Sequence, residues 1–358
     1  MLFKLERREE HSNWMTLFSP VLAVALMLAT GAAIFASLGI DPVKGLTVYF
    51  LEPLQSAWSL QELVVKATPL ILIGIGLSVC YRANIWNIGA EGQFVAGALA
   101  GSYLPIMMHG WDGPLVFPTM VLAGFVGGAM FALIPALLKV RFGANEILTS
   151  LLLVYVIQFL LDWLVRGPWR DPEGFNFPES RLFDSDAVTP LIFEGSRMHI
   201  GFPIAIVIAL IAAFYLSRTM TGFKIQVIGQ SPRAAAFAGF SQNKMIFFAF
   251  AVSGGLAGLA GIIEVAGPIG QLRPVISPGY GFTAIIVAFL GRLNPIGIVI
   301  AGFVLALSYL GGEAAQVSLG ITDKIARVFQ GLLLFYVLAC DTFIHYRVRR
   351  IRPVREAG

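Results

Sequence analysis

Long apolar stretches without charge alternate with short polar connections along almost the whole chain. Crossing a bilayer core takes about 18 apolar residues or more. Seven uncharged stretches reach that length: residues 11–40, 92–111, 113–138, 198–217, 245–263, 274–291 and 293–312. Three more reach it when a charge at one end is allowed: 62–81, 147–165 and 322–340. The pattern predicts an all-α membrane protein with about ten transmembrane segments and both termini on one side.

Three longer polar connections divide these segments. Residues 41–60 mix aromatic residues, prolines and charges, as an interfacial segment does, whereas 166–197 and 218–244 are the longest loops on opposite sides. We predict one transmembrane domain over residues 1–358. Its parts are an N-terminal helix with an interfacial segment (1–61), a first repeat (62–165), an external loop (166–197), a cytoplasmic loop (218–244), a second repeat (245–342) and a basic cytoplasmic tail (343–358).

Composition excludes most other classes of protein. The 358 residues are 57% hydrophobic and only 13% charged, with a mean hydropathy of +0.79. A soluble fold of this length could not bury so much apolar side chain, so a soluble enzyme, a disordered chain and a disulfide scaffold are excluded. The two cysteines, Cys80 and Cys340, lie near the ends of predicted spans and are expected to be free thiols.

The net charge of +4 is explained by topology. With the termini inside, sixteen of the 25 Lys and Arg residues fall on the cytoplasmic side and nine on the other, as the positive-inside rule requires. The excess of basic residues therefore indicates how the chain is oriented in the membrane and does not indicate nucleic-acid binding. The first apolar run is too long for a removed signal peptide and is expected to stay as a helix.

Polar residues separate two neighbouring apolar runs at 84–93, and the gap is too short for an ordinary loop. Non-helical backbone at membrane depth is tolerated only where protein or a water-filled cavity satisfies its polar groups. We interpret the segment as a broken helix that lines a translocation pathway; the alternative is a plain cytoplasmic turn with an exposed Glu91. The candidates for this lining are Asn84, Asn87, Gly89, Glu91 and Gln93.

The second half of the chain offers a rough counterpart. Residues 274–291 begin with PVISPGYGF, which cannot be a regular spanning helix. Pro278, Gly279 and Tyr280 are therefore further pathway candidates, and paired interruptions of this kind indicate an inverted repeat with broken or re-entrant helices. Glu264, an acid near the outer end of an apolar segment, is expected either to face the vestibule or to pair with Arg273.

Glycines at small-x₃-small spacing are predicted to let helices approach closely. They are Gly97 and Gly101 in one segment and Gly254, Gly255, Gly258 and Gly261 in another.

A short helix is predicted inside the loop 218–244. Ser231 is placed to cap it, Pro232 suits its first turn, three alanines propagate it, and Gly239 suits a left-handed end. Because so short a helix is unstable alone in water, it needs a surface to pack on. That surface is either the protein's own helical bundle or a cytoplasmic partner.

Several kinds of chemistry have no sequence basis here. There is no G-x-x-x-x-G-K-[ST] nucleotide-binding loop, so the chain cannot hydrolyse ATP itself. The four histidines all lie near membrane boundaries, and no metal-ligand spacing occurs. We therefore predict no catalytic residue, no bound metal and no cofactor in this chain.

Three motifs, in matching order over roughly residues 62–345, resemble the permeases of ABC importers in the simple-sugar and nucleoside branch. Residues 229–239 (GQSPRAAAFAG) are similar to the coupling-helix loop of that family, with Arg233 where an acidic residue is common elsewhere. Residues 82–93 (RANIWNIGAEGQ) are similar to the RxGxxNIGxEGQ stretch of nucleoside-type permeases, although Asn84 replaces a glycine. The third resemblance comprises 254–261, 278–282 and 290–295.

This resemblance implies a non-catalytic transport subunit that imports a nucleoside or a related base or sugar. It implies as partners separate ATPase subunits that use ATP and Mg²⁺, a second and different permease chain, and an extracytoplasmic substrate-binding protein, in the bacterial cytoplasmic membrane. The residues it assigns to ATPase coupling are Ser231, Pro232, Arg233, Ala234, Ala235, Phe237 and Gly239. Two alternatives remain at this point: an ion-gradient-driven secondary transporter, and a membrane scaffold or enzyme.

Overall fold

Helices account for most of the structure, a computed structural model that describes residues 3–7, 13–108, 110, 113–322 and 324–350. The helices are α1 (Asn13–Ser37), α2 (Pro42–Phe50), α3 (Ala57–Arg82), α4 (Ala90–Met107), α5 (Val116–Phe142), α6 (Glu146–Arg166), α7 (Gly201–Arg218), α8 (Met220–Gln230), α9 (Pro232–Phe237), α10 (Gln242–Glu264), α11 (Tyr280–Leu290), α12 (Pro295–Leu319) and α13 (Lys324–His345). A π-helical turn, Val265–Ile269, extends α10.

Each of the ten predicted segments contains a helix, so the prediction of a helical membrane protein is confirmed. Within the described residues, six helices are long and apolar enough to cross a bilayer: α3, α5, α6, α7, α10 with its π turn, and α12. By contrast, α11 has 11 residues and is about 16 Å long, half of a hydrocarbon core. The count of ten spans and the side on which the termini lie therefore stay predictions.

One short sheet departs from the all-α prediction. Strands β1 (Phe3–Arg7) and β2 (Tyr346–Arg350) pair antiparallel, with Leu5 opposite Val348 and Glu6 opposite Arg347. Each strand begins by alternating apolar and polar residues, which is the period of a strand, but five residues give too weak a signal to be found in advance. Residues 351–358 of the predicted tail lie outside the described residues.

The chain forms two compact units. One contains Met1–Gln55 and Ser308–Gly358, and the other contains Ser56–Leu307. The first unit is centred on stacked aromatic rings, with 4.5 Å between the ring centroids of Tyr49 and Phe329. The Tyr49 hydroxyl donates a hydrogen bond to the Ser308 carbonyl at 2.8 Å, so the buried phenol is satisfied. The predicted repeats, 62–165 and 245–342, are not fixed by this division and stay predictions.

The second unit is built around glycine contacts of α10 with α4 and α5. A Cβ added at Gly97 would lie 2.1 Å from the Gly258 Cα, and one added at Gly128 would lie 2.2 Å from the Gly254 carbonyl oxygen. At Gly261 the added atom would lie 2.1 Å from the Phe94 carbonyl oxygen. The helices touch backbone to backbone, which confirms the predicted role of these small residues.

The loop before α7 is anchored on the end of α10. Backbone hydrogen bonds run from Thr189 N to Ala266 O at 2.8 Å and from Phe183 N to Gly270 O at 2.9 Å. His199 is buried there; its Nδ1 accepts the Gly201 N–H, and its Nε2 makes no hydrogen bond within the described residues. Burial of this ring lowers the pKa of His199 to about 4.

We expect this histidine to make folding stability fall at acid pH. Because its folded pKa of about 4 lies below the unfolded value of 6.5, its contribution is complete above pH 6.5 and is lost as the pH falls towards 4, by about 3 kcal/mol in total. Thermal unfolding of the purified protein between pH 7.5 and 4.5 measures this loss. In His199→Asn, whose amide oxygen can replace Nδ1 as acceptor, the melting temperature should fall less over this pH range. An equal fall in the two proteins would contradict the assignment to His199.

Candidate functional site

The chain breaks between α3 and α4 where the sequence predicts a broken helix. Helix α3 ends at Arg82, Asn84 takes a left-handed conformation with φ of 55°, and α4 begins at Ala90. Glu91 is only 2% exposed, so the alternative of a plain turn with an exposed Glu91 is wrong. Asn84 is exposed and accepts a hydrogen bond from the Trp86 indole at 3.2 Å, so it belongs to the surface of the turn.

A closed group of side-chain amides holds this break together. The Asn87 amide nitrogen donates to Gln93 Oε1 at 2.8 Å and to Ser253 Oγ on α10 at 3.0 Å. Asn87 Oδ1 accepts from Gln93 Nε2 and from the Gly89 N–H, both at 3.0 Å. Since Asn87 and Gln93 are fully buried and bond to each other, they fix the shape of the break in this structure and do not face open space.

Replacing Asn87 with leucine is expected to destabilise the protein strongly. The substitution leaves Gln93, Ser253 and the Gly89 N–H without their partner, and each buried polar group left unsatisfied costs about 1–3 kcal/mol. The matched control is Asn84→Gly, which removes a single exposed bond in the same turn and readily adopts the positive φ of this position. In thermal unfolding in detergent, the melting temperature of Asn87→Leu should lie well below that of the control. Equal melting temperatures would contradict the structural role of Asn87.

The two predicted interruptions meet in space. The Gly281 N–H, in the first turn of α11, donates to Glu91 Oε2 in the first turn of α4 at 2.6 Å. A Cβ added at Gly281 would lie 2.2 Å from the Glu91 nitrogen, so the two helix starts touch through their backbones. Just before α11, the Ser277 hydroxyl accepts hydrogen bonds from the Gly279 and Tyr280 N–H groups at 3.0 Å. Gly279 has a φ of 105°, which favours glycine.

A cavity of about 290 Å³ opens beside this junction. It is lined by Glu91, Val95, Gln158, Phe159, Leu161, Asp162 and residues 274–277. Of the predicted pathway residues, only Glu91 lines it. Pro278 is exposed, Gly279 is partly exposed and Tyr280 is buried, so these three shape the junction without lining the cavity.

Ser277 and Asp162 were missed as lining residues by sequence reasoning. The sequence does hold a signal for Asp162. It lies four residues after Gln158 in an apolar run, so the two polar side chains share one face of α6.

Glu264 has partners other than the one predicted. Its carboxyl is hydrogen-bonded by the Tyr280 side chain and lies in the field of Lys66, Glu62 and Arg197. Pairing with Arg273 is wrong, because the Arg273 Nε lies 3.3 Å from Glu179 Oε1 instead. Glu264 is 7% exposed and therefore ties α10 to α11 and does not face a wide vestibule.

The predicted short helix forms as α9, and most of its residues are exposed. Pro232 is its first residue and Gly239 has a left-handed φ of 76°, as predicted. Ser231 precedes the helix, but its side chain makes no capping bond, so that part of the prediction is wrong. Only Ala235 is buried within the helix, at 2%, whereas Phe237 is 95% exposed. Ala235 therefore packs against the chain's own helices, while the Phe237 ring projects away from them.

The same exposed surface includes Arg233 and Ala234.

A tight contact links α8, which leads into α9, to the helix break. A Cβ added at Gly229 would lie 1.9 Å from the Arg82 carbonyl oxygen at the end of α3. The Arg82 Nε in turn donates to the Leu293 carbonyl at 2.8 Å. Gly229 therefore places α8, which leads into α9, in backbone contact with the end of α3 beside the break at residues 83–89.

Comparison with known proteins gives a consistent set of relatives. The family described as "Branched-chain amino acid transport system / permease component" matches residues 59–338. The glucose ABC transporter permease protein TsgB13 of Haloferax volcanii is 36% identical over 96% of this chain and 93% of its own length. The nucleoside ABC transporter permease protein NupB of Lactococcus lactis subsp. cremoris is 27% identical over 89% of each chain. The guanosine ABC transporter permease protein NupP of Bacillus subtilis is 25% identical over 90% of this chain and 92% of its own.

Proposed function

The chain belongs to the family of branched-chain amino acid transport system / permease components, and from this premise we propose that it imports a nucleoside or a simple sugar as the permease subunit of an ATP-driven ABC transporter. Membership makes it a multi-pass membrane transport subunit and not an enzyme. The observation that carries the proposal is the match, over about nine tenths of the chain, to three ABC permeases named for glucose, nucleosides and guanosine.

Separate ATPase subunits supply the energy in this proposal and bind the ATP and Mg²⁺. The exposed ring of Phe237 on α9 inserts into a groove of the ATPase, and α8 carries the movement to Arg82 through Gly229. The junction of Glu91 and Gly281 then changes its packing. Coupling needs the solute and the nucleotide to prefer different states of the transporter, since a ligand that binds both states equally shifts neither.

Two further partners complete the proposed importer. A second, different permease chain supplies the other half of the pathway, and an extracytoplasmic binding protein delivers the solute. The proposed location is the bacterial cytoplasmic membrane, with α9 and both termini on the cytoplasmic side. The sixteen-to-nine distribution of basic residues supports this orientation.

Co-purification tests the assignment of partners. The affinity-tagged chain, extracted from its native membranes in mild detergent, should retain an ATPase subunit with a P-loop at about one copy per permease chain. Quantitative mass spectrometry measures that ratio, and ATP hydrolysis by the purified complex checks that the partner is active. A pure, well-folded chain that transports solute without any ATPase would overturn the proposal.

A further inference from the structure

An apolar groove lies between α5 and α6, with α4 as its floor, and we call it the α5–α6 groove. Its volume is about 590 Å³, and no charged residue lines it. The floor includes Ala96 and Ala100 of α4, and α5 touches this floor through Gly127, where an added Cβ would lie 2.3 Å from the Ala100 Cβ. None of its residues also lines the cavity beside the α4–α11 junction, so the groove is a separate feature.

The groove begins beyond the turn that joins α5 to α6. Residues 143–145 form this turn, and the Lys139 and Glu146 side chains make an ion pair across it. About two turns further along α6, its backbone touches α4, because a Cβ added at Gly92 would lie 2.9 Å from the Val154 Cα. Past this contact α4 lines the space between the two helices, so α5 and α6 do not close over it.

The length of the groove is that of one leaflet of the bilayer and not of a whole crossing. The lining residues fall within 96–103 on α4, 127–134 on α5 and 157–164 on α6, and each stretch is about 10 Å long. On α6 the stretch ends just before Arg166, the last residue of the helix, which lies on the outer side in the orientation proposed above. An acyl chain extends over about 15 Å, half of the hydrocarbon core, whereas a partner's transmembrane helix extends over about 30 Å. The length therefore favours an acyl chain.

Tyr103 and Trp169 close the outer end of the groove. Their ring centroids lie 6.2 Å apart, and the Trp169 backbone N–H donates to the Leu164 carbonyl at 2.9 Å, which folds this residue back onto the end of α6. Among the described residues that line the groove, these two alone carry an O–H or N–H group in the side chain. Tyrosine and tryptophan are enriched at the level of lipid headgroups.

A positive charge follows directly in the chain. Arg170 is exposed, and its guanidinium donates to the side-chain oxygen of Asn176, which is neutral. No carboxylate of the described residues pairs with this arginine, so its charge and its remaining N–H groups can bind a phosphate. The groove thus has an apolar body and one end with polar and positively charged groups, which is the pattern that a phospholipid complements.

We propose that the α5–α6 groove binds one phospholipid of the outer leaflet, with an acyl chain along α4 and the phosphate near Trp169 and Arg170. Lipid tails are as apolar as leucine, so burial from water does not hold this chain in place. Close packing against the floor of the groove holds it, together with the headgroup contacts. This lipid should therefore exchange more slowly than lipids on the open face of α5. The site does not depend on the solute that the chain transports.

Photo-cross-linking of the full chain tests the proposal. The chain is reconstituted into vesicles of phosphatidylethanolamine and phosphatidylglycerol in equal parts, with a trace of phosphatidylglycerol that carries a diazirine in one acyl chain. After illumination, mass spectrometry of the digested protein locates the cross-links. They should concentrate at 96–103, 127–134 and 157–164, and little should form at other lipid-exposed stretches of α5.

Blocking the groove should remove these cross-links. Met130 lines the groove and is 65% exposed, so Met130→Trp adds a large ring at its wall without disturbing the core. Cross-linking at 96–103 should fall by about fivefold or more, which corresponds to a loss of about 1 kcal/mol of binding. Leu160→Trp, from the opposite wall, should act in the same way. The matched control is Leu122→Trp, also on α5 and 63% exposed but outside the groove, which should leave the cross-links unchanged.

Two results overturn the proposal. One is cross-linking spread evenly along α5 and α6, or reduced equally by Met130→Trp and Leu122→Trp, because the lipid is then an ordinary neighbour of the helices. The other is loss of cross-linking when the experiment is repeated on the complex with the second permease chain, because a protein then covers the groove. Neither measurement needs transport or ATP hydrolysis, so failure of the lipid site leaves the proposed function untouched.

Discussion

Replacing Phe237 with aspartate is expected to abolish ATP-driven uptake while leaving the chain folded in the membrane. The ring is 95% exposed on a six-residue helix, so its removal disturbs no contact inside the protein. Burying a phenylalanine in a partner contributes about 1.5–3 kcal/mol, and an aspartate in the same groove adds the cost of desolvating a charge. The affinity for the ATPase should therefore fall at least about tenfold.

The measurement is retention of the ATPase subunit on the purified permease, together with uptake into vesicles. Phe175→Asp is the matched control, because Phe175 is 94% exposed in the loop 166–197, far from α9 in sequence. It should retain the ATPase fully. Phe237→Leu should retain most of the coupling, since leucine is also apolar. Normal ATPase retention and uptake in Phe237→Asp would contradict the docking role of α9.

Ala235 and Gly239 are less informative positions for this test. Ala235 is 2% exposed, so a bulky charged residue there would displace α9 from its own chain. Gly239 has a φ of 76°, and any other residue would strain the end of the helix. A loss of uptake in either variant would not separate docking from the folding of α9, whereas Phe237 separates the two.

Replacing Gly97 with alanine is expected to destabilise the packing of α4 against α10 strongly. The new Cβ would lie 2.1 Å from the Gly258 Cα and 2.5 Å from its carbonyl oxygen. These are backbone atoms, which cannot rotate away as a side chain can. Overpacking of this kind costs about 1–3 kcal/mol or more, so the melting temperature in detergent should fall by about 1–4 °C or more.

Gly331→Ala is the control for this substitution. Gly331 lies on α13 with no atom within 4 Å of an added Cβ, and alanine favours a helix over glycine by about 1 kcal/mol. Its melting temperature should stay the same or rise slightly. Equal melting temperatures for Gly97→Ala and the unmodified protein would show that α4 and α10 are not in backbone contact.

Local features of the fold could be predicted because their causes are local. The lengths of the apolar stretches predict the long helices, and Pro232 and Gly239 predict the two ends of α9. Glycine spacing predicts that α10 comes close to another helix, although not that Gly258 meets Gly97 and Gly128. The polar run at 84–93 predicts a break in the helix, because charged and amide groups are rarely tolerated without partners at membrane depth.

The partners of the polar groups could not be predicted, since they come from distant parts of the chain. Glu91 meets the Gly281 N–H 190 residues away, and Asn87 meets Ser253 166 residues away. The sequence reasoning assigned Asn87 and Gln93 to the pathway because both are polar. The structure shows that the two amides bond to each other, with Ser253 and the Gly89 N–H as further partners of Asn87. The spacing of Gln158 and Asp162 predicts that they share one face of α6, but not that this face lies beside Glu91 of α4 and lines the cavity.

ATP-driven uptake into vesicles tests the central claim most directly. Proteoliposomes containing this chain, its second permease and the ATPase subunits, with the binding protein on the outside, should accumulate labelled glucose or adenosine when ATP is enclosed. Without ATP, or with Phe237→Asp, accumulation should fall to the background. Accumulation by this chain alone, without ATP and driven by an imposed ion gradient, would contradict the account.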